Sequence, residues 1–159
     1  MTSLLVQVTA CGTRSLHAAA PLLPGDILAD FSGSTRQAGP SRYTIQRHAH
    51  EHLVLFPEEI RFINHSCCPN VFFDVDRLLL TALRSIALGE EICCFYPATE
   101  WAMAEPFTCS CGDPRCLGRV TGAEEVDGAF LLAHRLSSFV RSRLASRHTA
   151  PSRFASLEG

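Results

Sequence analysis

The sequence contains no lysine, and all 14 of its basic residues are arginines. This bias is typical of genes from GC-rich genomes that avoid lysine codons. It also has a chemical consequence, because the chain offers no lysine side chain of its own for modification. Any reaction on a lysine that involves this protein must take place on another molecule.

The chain also lacks a strong charge of either sign and a long apolar run. Its formal net charge is -2 and its pI is near 6.4, so it has no general basic field toward nucleic acid. No apolar run has the length of a membrane span, and residues 1–14 lack the features of a secretory signal. We therefore expect an intracellular, reducing compartment, nuclear or cytoplasmic, with the eight cysteines as thiols. We expect no membrane and no direct nucleic-acid contact.

The length and composition predict a single domain, because 159 residues with 47% hydrophobic content can bury a core. Between two apolar runs lies the polar, thiol-rich stretch RFINHSCCPN, residues 61–70. Pro69-Asn70 is a turn signal, and the side chains of Asn64, His65 and Ser66 can all form hydrogen bonds. This stretch indicates a buried loop with a chemical role, in which Cys67 is a candidate metal ligand.

A second group of thiols follows some forty residues later. Cys109, Cys111 and Cys116 have the spacing C-x-C-x4-C, which lacks only a fourth ligand for a tetrahedral zinc site. Buried cysteines often serve as small hydrophobes, and we interpret Cys11, Cys93 and Cys94 in this way.

Three motifs in this order, RFINHSCCPN, LGEEICCFYP and FTCSCGDPRCLG, resemble the SET-domain protein lysine methyltransferases with a post-SET zinc-binding segment. The resemblance covers roughly residues 13–118. It implies a mainly β, β-clip fold of short twisted sheets, in which the Asn-His-Ser and Tyr-bearing segments cross in a pseudoknot. It also implies a post-SET zinc knot, to which we add a C-terminal helix. The expected divisions are a SET domain over 1–106, a post-SET segment over 107–120, a helical extension over 121–148 and a flexible tail over 149–159.

The resemblance also implies the roles of individual residues. Tyr96 would be catalytic, because it stands at the position of the family's last tyrosine. Cys67 would complete the zinc site with Cys109, Cys111 and Cys116, although the adjacent Cys68 could replace it. The implied contacts to S-adenosylmethionine are Arg14, Ser15, Tyr43, Asn64, His65, Trp101 and Phe107. The implied channel residues are Cys94 and Phe95.

Several of these roles have a purely structural alternative. Tyr43 could be a half-buried strand residue, Trp101 and Phe107 could be core aromatics, and Asn64 and His65 could serve only to close the pseudoknot. The cofactor loop differs from the family, since Thr13 and Ser15 replace its usual glycines.

Cys94 also departs from the family, which usually has Phe or Tyr at that position. The small thiol should widen the channel and permit products beyond monomethyl-lysine.

The rest of the chain predicts short elements. Residues 4–8 favour a strand, residues 32–41 a loop, and residues 71–74 and 78–83 a hairpin around Asp76-Arg77. Asp127 can cap a helix over residues 128–144. One face of this helix would carry the apolar residues Leu132, Leu136, Phe139 and Val140.

The function predicted from this resemblance is transfer of methyl groups from S-adenosylmethionine to the ε-amine of a protein lysine, with a structural zinc ion. The partner would be a protein substrate, histone or not, and the enzyme would be a monomer. The alternative is a non-catalytic, zinc-stiffened SET-like module that binds a protein partner. The altered cofactor loop and Cys94 favour this alternative, whereas Asn64, His65 and Tyr96 favour the enzyme.

Overall fold

The computed structural model describes the backbone of residues 4–149 and the side chains of residues 4–147. Most of its elements are short strands. The strands are β1 (Leu4–Val8), β2 (Arg14–Ala18), β3 (Ile27–Asp30), β4 (Thr35–Gln37), β5 (Thr44–His48), β6 (Glu51–Val54), β7 (Asn64–His65), β8 (Val71–Asp74), β9 (Leu79–Ala82), β10 (Cys93–Cys94), β11 (Phe107–Thr108) and β12 (Arg119–Val120). The helices are α1 (Gly128–Leu132) and α2 (Ser138–Thr149), with 3-10 turns at Glu58–Phe62, Tyr96–Ala98 and Ala123–Glu125. No helix in this part of the chain is long and apolar enough to cross a membrane.

The strands form four small sheets, which confirms the mainly β prediction. Two hairpin sheets pair β1 with β2 and β11 with β12, and a third sheet has the order β4-β6-β5. The largest sheet has the order β3-β9-β8-β10-β7. Its β8–β9 hairpin confirms the hairpin predicted around Asp76-Arg77.

The largest sheet interleaves two distant segments of the chain. Strand β10 lies between β7 and β8 and is parallel to both, with Cys93 opposite Asn64 and Cys94 opposite Val71. Only the five residues 66–70 connect β7 to β8, so β10 is inserted between the two ends of that short loop. This crossing brings the Asn-His-Ser segment and the Tyr-bearing segment together, as the resemblance implied.

Hydrogen bonds of Asn70 stabilise the crossing of the two segments. Its side chain donates to the Glu91 carbonyl at 2.8 Å and accepts from the Cys93 amide at 2.8 Å. Its own amide donates to the Cys93 carbonyl, and its carbonyl accepts from Leu83. The residue is 1% exposed, so these contacts satisfy polar groups that have little access to water.

Two apolar cores lie on either side of the central sheet. The first packs β2, β3, β8 and β9 around Leu16, Phe31 and Leu80. The second contains Phe95 and Trp101 together with Val140 and Leu144 of α2. The C-terminal helices therefore belong to the packed body of the protein.

The predicted single helix over 128–144 is wrong, because residues 133–137 separate α1 from α2. The amide of Ser137 donates to the Ala98 carbonyl, outside any helix, and its hydroxyl accepts from the Val140 amide at 3.2 Å. The chain therefore ends one helix and caps a second one. Asp127 caps α1 as predicted, whereas Leu132 is 65% exposed and lies outside the apolar face assigned to it.

Two other boundaries differ from the predictions. The predicted loop over 32–41 contains β4, which pairs with β6. Of the predicted tail, only Thr149 belongs to the described residues, as the last residue of α2.

Candidate active site and cysteine cluster

A cavity with a volume of about 1140 Å³ opens beside the crossed segments. Strands β2, β5, β7 and β10 and the chain that leads into β11 provide its wall. Seven residues that the sequence assigned to cofactor, channel or catalysis line it: Arg14, Tyr43, Asn64, His65, Cys94, Tyr96 and Phe107.

Three residues with such assignments lie away from the cavity wall. The Ser15 hydroxyl contacts His17 Nε2 at 2.9 Å. The Phe95 ring stacks on His134 with ring centres 4.0 Å apart, inside the second core. The Trp101 indole also lies in that core, under the guanidinium of Arg143. Phe95 and Trp101 therefore have the packing contacts of core aromatics, and neither is among the residues that line this cavity.

Tyr96 is tied to β7 through its backbone and its side chain. Its amide donates to His65 Nδ1 at 3.1 Å, and its hydroxyl donates to the Ile63 carbonyl at 2.9 Å. Edge-on contacts with the rings of His65 and Phe107 fix the plane of the phenol. Burial raises the pKa of the Tyr96 hydroxyl, so it stays neutral, and its oxygen can still accept a hydrogen bond.

His65 connects this tyrosine to the cysteines. Burial, with a smaller contribution from His134, lowers the pKa of His65 to about 4, so the ring is neutral at pH 7. Because Nδ1 accepts from the Tyr96 amide, the proton lies on Nε2, which donates to Cys67 Sγ at 3.4 Å. The same ring therefore orients the tyrosine backbone and a candidate metal ligand.

Asn64 joins β2 to the crossing. Its side-chain amide donates to the Arg14 carbonyl at 3.3 Å and to Glu91 Oε1 at 2.9 Å. The contact with Arg14 holds the loop that contains Thr13 against the cavity. Cys94 lines the same cavity from β10 with a small side chain.

The four cysteines of the predicted zinc site converge. The Sγ atoms of Cys67, Cys109, Cys111 and Cys116 all lie within 4.8 Å of one another. Zn–S distances of about 2.3 Å in a tetrahedron correspond to S···S separations of just under 4 Å, so the cluster fits a zinc ion after a small contraction. Cys68 is exposed and lies outside the cluster, so the geometry favours Cys67 over its neighbour.

Backbone amides support the thiol cluster. The Leu117 amide donates to Cys67 Sγ at 3.5 Å and the Gly118 amide donates to Cys116 Sγ at 3.4 Å. Such N–H···S contacts stabilise thiolate charge and orient ligands around a metal.

Glu100 is among the residues of the cavity wall that the sequence did not assign to the site. Its Oε1 accepts from the Gln46 amide of β5 at 2.7 Å and from the Thr99 hydroxyl at 3.3 Å. Burial raises the pKa of Glu100 to about 7. In the sequence, Glu100 is notable only as an isolated acid between Tyr96 and Trp101. The fold shows that it belongs to the cavity wall.

Comparison with known protein families gives one family match. The SET domain model matches residues 11–97. This range includes Arg14, Asn64, His65 and Tyr96 and ends before Cys109.

Among curated proteins, the chain is similar to the methyltransferase flvH of Aspergillus flavus, with 34% identity over 56% of this chain and 51% of that protein. It is also similar to the histone-lysine N-methyltransferase, H3 lysine-36 specific, of Candida albicans. That match has 40% identity over 48% of this chain and 10% of the relative. The chain thus spans about half the length of the first relative and a small part of the second.

Solved structures with the same fold include KRYPTONITE in complex with mCHG DNA and SAH, with a TM-score of 0.57. That match has 24% identity over 74% of this chain and 29% of that one. The methyltransferase domain of human SETMAR has a TM-score of 0.55 and 19% identity over 77% of this chain and 59% of that one. At these identities the likeness supports the fold.

Proposed function

Because this chain belongs to the SET domain family, we propose that it is an S-adenosylmethionine-dependent protein-lysine N-methyltransferase. The observation that carries the proposal is the cavity in which Asn64, His65 and Tyr96 meet beside the crossed strands. The arrangement brings Asn64 and His65 together with Tyr96, although they are some thirty residues apart in the chain.

The cavity suits a cofactor and a lysine side chain together. Its volume of about 1140 Å³ exceeds the range of about 300–1,000 Å³ that is typical of pockets for a single small ligand. S-adenosylmethionine supplies a methyl group on a positively charged sulfur. Arg14, Asn64, His65 and Phe107 are the residues of this chain that would hold it.

Tyr96 would position the substrate amine. Its hydroxyl donates to the Ile63 carbonyl and so keeps its lone pairs for a hydrogen bond from the amine nitrogen. Orientation of a bound reactant is a large source of rate, and a hydrogen-bonded tyrosine in an apolar wall provides it without changing its charge. The substrate amine must be neutral to react, whereas free lysine has a pKa of about 10.4.

Zinc would hold the segment after the cavity in place. With Cys67 on the central loop and Cys109, Cys111 and Cys116 on the later segment, the ion would join the two by four thiolates, a closed structural set. Phe107 lies two residues before Cys109, so the same ion would fix one wall of the cavity. Eight cysteines without disulfides suit a reducing intracellular compartment.

The proposed substrate is a lysine on another protein, since this chain has none. Histones are one candidate class, because curated relatives carry the description H3 lysine-36 specific and a structural neighbour was solved with an H3(1-15) peptide. The small Cys94 side chain supports products with more than one methyl group. Mass spectrometry of a product peptide that stops at one methyl would contradict this last point.

Calorimetric titration of the zinc-loaded protein with S-adenosylmethionine tests the proposal, in the parent and in Asn64→Ala. We expect the parent to bind and the variant to bind at least about tenfold more weakly, because it loses the contact that holds the Arg14 segment. Gln7→Ala, at an exposed position of β1, is the control and should bind like the parent. A folded, zinc-loaded parent that does not bind would favour the non-catalytic module, in which Thr13 and Ser15 have removed the cofactor site.

A further inference from the structure

Glu100 places a carboxylate in the wall of the same cavity as Tyr96 and Cys94. It follows the 3-10 turn Tyr96–Ala98, and its amide donates to the Tyr96 carbonyl at 3.0 Å. Its carbonyl accepts from the Ala123 amide, so the backbone is fixed from both sides. Glu100 therefore has a fixed backbone position in the cavity wall.

The two carboxylate oxygens differ. Oε1 accepts from the Gln46 amide at 2.7 Å and the Thr99 hydroxyl at 3.3 Å. No donor among the described residues contacts Oε2. Because Oε2 is also absent from the fully buried polar atoms without a partner in residues 4–147, it has some solvent access. Oε1 therefore anchors the side chain, and Oε2 is accessible and has no hydrogen-bond partner among the described residues.

Among the described residues, no cation forms an ion pair with this carboxylate, and the ion pairs there involve other acids. Cys94 and Tyr96 lie close enough to feel the charge of Glu100, and Arg42, Tyr43, Cys93 and Glu105 also line the cavity. A half-buried acid that lacks an ion-pair partner is complementary to a cationic ligand.

We propose that Glu100 is the residue that receives the substrate's ammonium group and takes up its proton. This inference rests on the proposed function. The ammonium N–H donates to Oε2, the N–H bond breaks, and an O–H bond forms on Glu100. The electron pair of the broken bond stays on nitrogen, which becomes the neutral amine required beside Tyr96. The carboxylic acid then loses its proton to water through the open cavity.

The acidity of Glu100 suits this transfer. Burial raises its pKa to about 7, and a proton acceptor works best when its pKa lies near the operating pH. An ordinary surface glutamate, with a pKa of about 4.3, would hold the proton much less well.

Binding of n-butylammonium at pH 7.5, followed by NMR chemical shifts, tests the site without turnover. Glu100→Gln keeps an oxygen that can accept from the Gln46 amide and replaces the other carboxylate oxygen by a neutral NH2 group, which cannot accept from an ammonium. We expect the parent to bind the cation and the variant to bind it at least about tenfold more weakly, while 1-butanol binds equally to both. Glu125→Gln, at an exposed position, should bind like the parent. Equal binding of the cation by the parent and Glu100→Gln, or no binding by the parent, would overturn the proposal.

The pH dependence of methylation gives a second measurement that a structural role would leave unchanged. We expect kcat/KM of the parent to rise through pH 7 as the carboxylate forms, and this rise to be absent in Glu100→Gln. The rates should converge at high pH, where free amine is abundant. Retention of the parental profile by the variant would overturn the role of Glu100 and leave the proposed function intact. Failure of S-adenosylmethionine binding would instead count against the proposed function, independently of the butylammonium result.

Discussion

The hydroxyl of Tyr96 is held by the Ile63 carbonyl at 2.9 Å, directly before the strand that contains Asn64 and His65. Its backbone amide is held by the His65 ring. Because both contacts come from the same short segment, the phenol and β7 move as one unit. At the scale of the residue, loss of the Tyr96 oxygen should therefore lower the methylation rate strongly and the stability of the fold only slightly.

Tyr96→Phe removes that oxygen and keeps the ring contacts with His65 and Phe107. We expect the methylation rate to fall by about 10²-fold or more, with S-adenosylmethionine affinity changed by less than about threefold. The free energy of unfolding should fall by only about 1 kcal/mol, the net contribution of one hydrogen bond. Single-turnover methylation, calorimetry and urea unfolding measure the three quantities. A variant that methylates at the parental rate would remove Tyr96 from the mechanism.

At the scale of the element, the sheet β4-β6-β5 buries a histidine in its central strand. His52 of β6 is 3% exposed, and its Nδ1 has no hydrogen-bond partner among the described residues. Burial, and then the nearby His50, lower the pKa of His52. The unfolded chain therefore binds this proton more readily than the folded protein does.

The sign of the pH effect follows from this difference. The stability associated with neutral His52 is present above the ordinary histidine pKa of about 6.5 and declines as the pH falls below it. We expect the free energy of unfolding of the parent to drop more between pH 7.5 and 5.5 than that of His52→Gln, measured by urea denaturation. His48→Gln, at an exposed position, should show the parental slope. Identical slopes for parent and His52→Gln would show that His52 does not control this decline.

The break between α1 and α2 depends on a cap at Ser137. Its hydroxyl accepts from the Val140 amide, three residues into the helix, in the usual geometry of an N-cap. We expect Ser137→Ala to lower the free energy of unfolding by about 1 kcal/mol, since the amide at this buried position loses its acceptor. Ser142→Ala, on the exposed side of α2, should change the free energy by less than about 0.5 kcal/mol. Thermal and urea unfolding of both variants compare the two positions.

At the scale of the whole molecule, the cysteine cluster connects the central loop to a segment more than forty residues later. Its four Sγ atoms lie within 4.8 Å of one another, while strands β11 and β12 provide only a two-residue pairing to order that segment. Zinc binding would therefore supply much of the free energy that holds Phe107 at the cavity, because ligation and folding are coupled in such sites.

Cys67→Ser and Cys68→Ser form a matched pair for this prediction. We expect the parent and Cys68→Ser to contain about one zinc ion per chain, and Cys67→Ser to contain much less, as measured by elemental analysis. Loss of the ion, by this substitution or by a chelator, should lower the unfolding temperature and weaken S-adenosylmethionine binding together. Full zinc content in Cys67→Ser, with loss in Cys68→Ser, would assign the fourth ligand to the neighbour.

The sequence by itself determined the local features of the protein. The C-x-C-x4-C spacing identified three members of the thiol cluster, the Asp127 cap marked the start of α1, and alternating turn and apolar segments located the β8–β9 hairpin. These features depend on contacts within a few residues, so the order of residue types along the chain is sufficient to predict them. The motifs around Asn64 and Tyr96 also led to the correct family through resemblance.

The tertiary structure alone decided which distant groups meet. It placed Cys67 in the cluster and Cys68 outside it, and it turned Phe95 and Trp101 toward the second core. It also interrupted the predicted long helix at residues 133–137 and placed Glu100 in the cavity wall. In each case the deciding contact joins residues far apart in the chain, such as Glu100 with Gln46 or Ser137 with Ala98. Sequence periodicity describes which residues are apolar, whereas the direction of a single side chain depends on which segment packs against it.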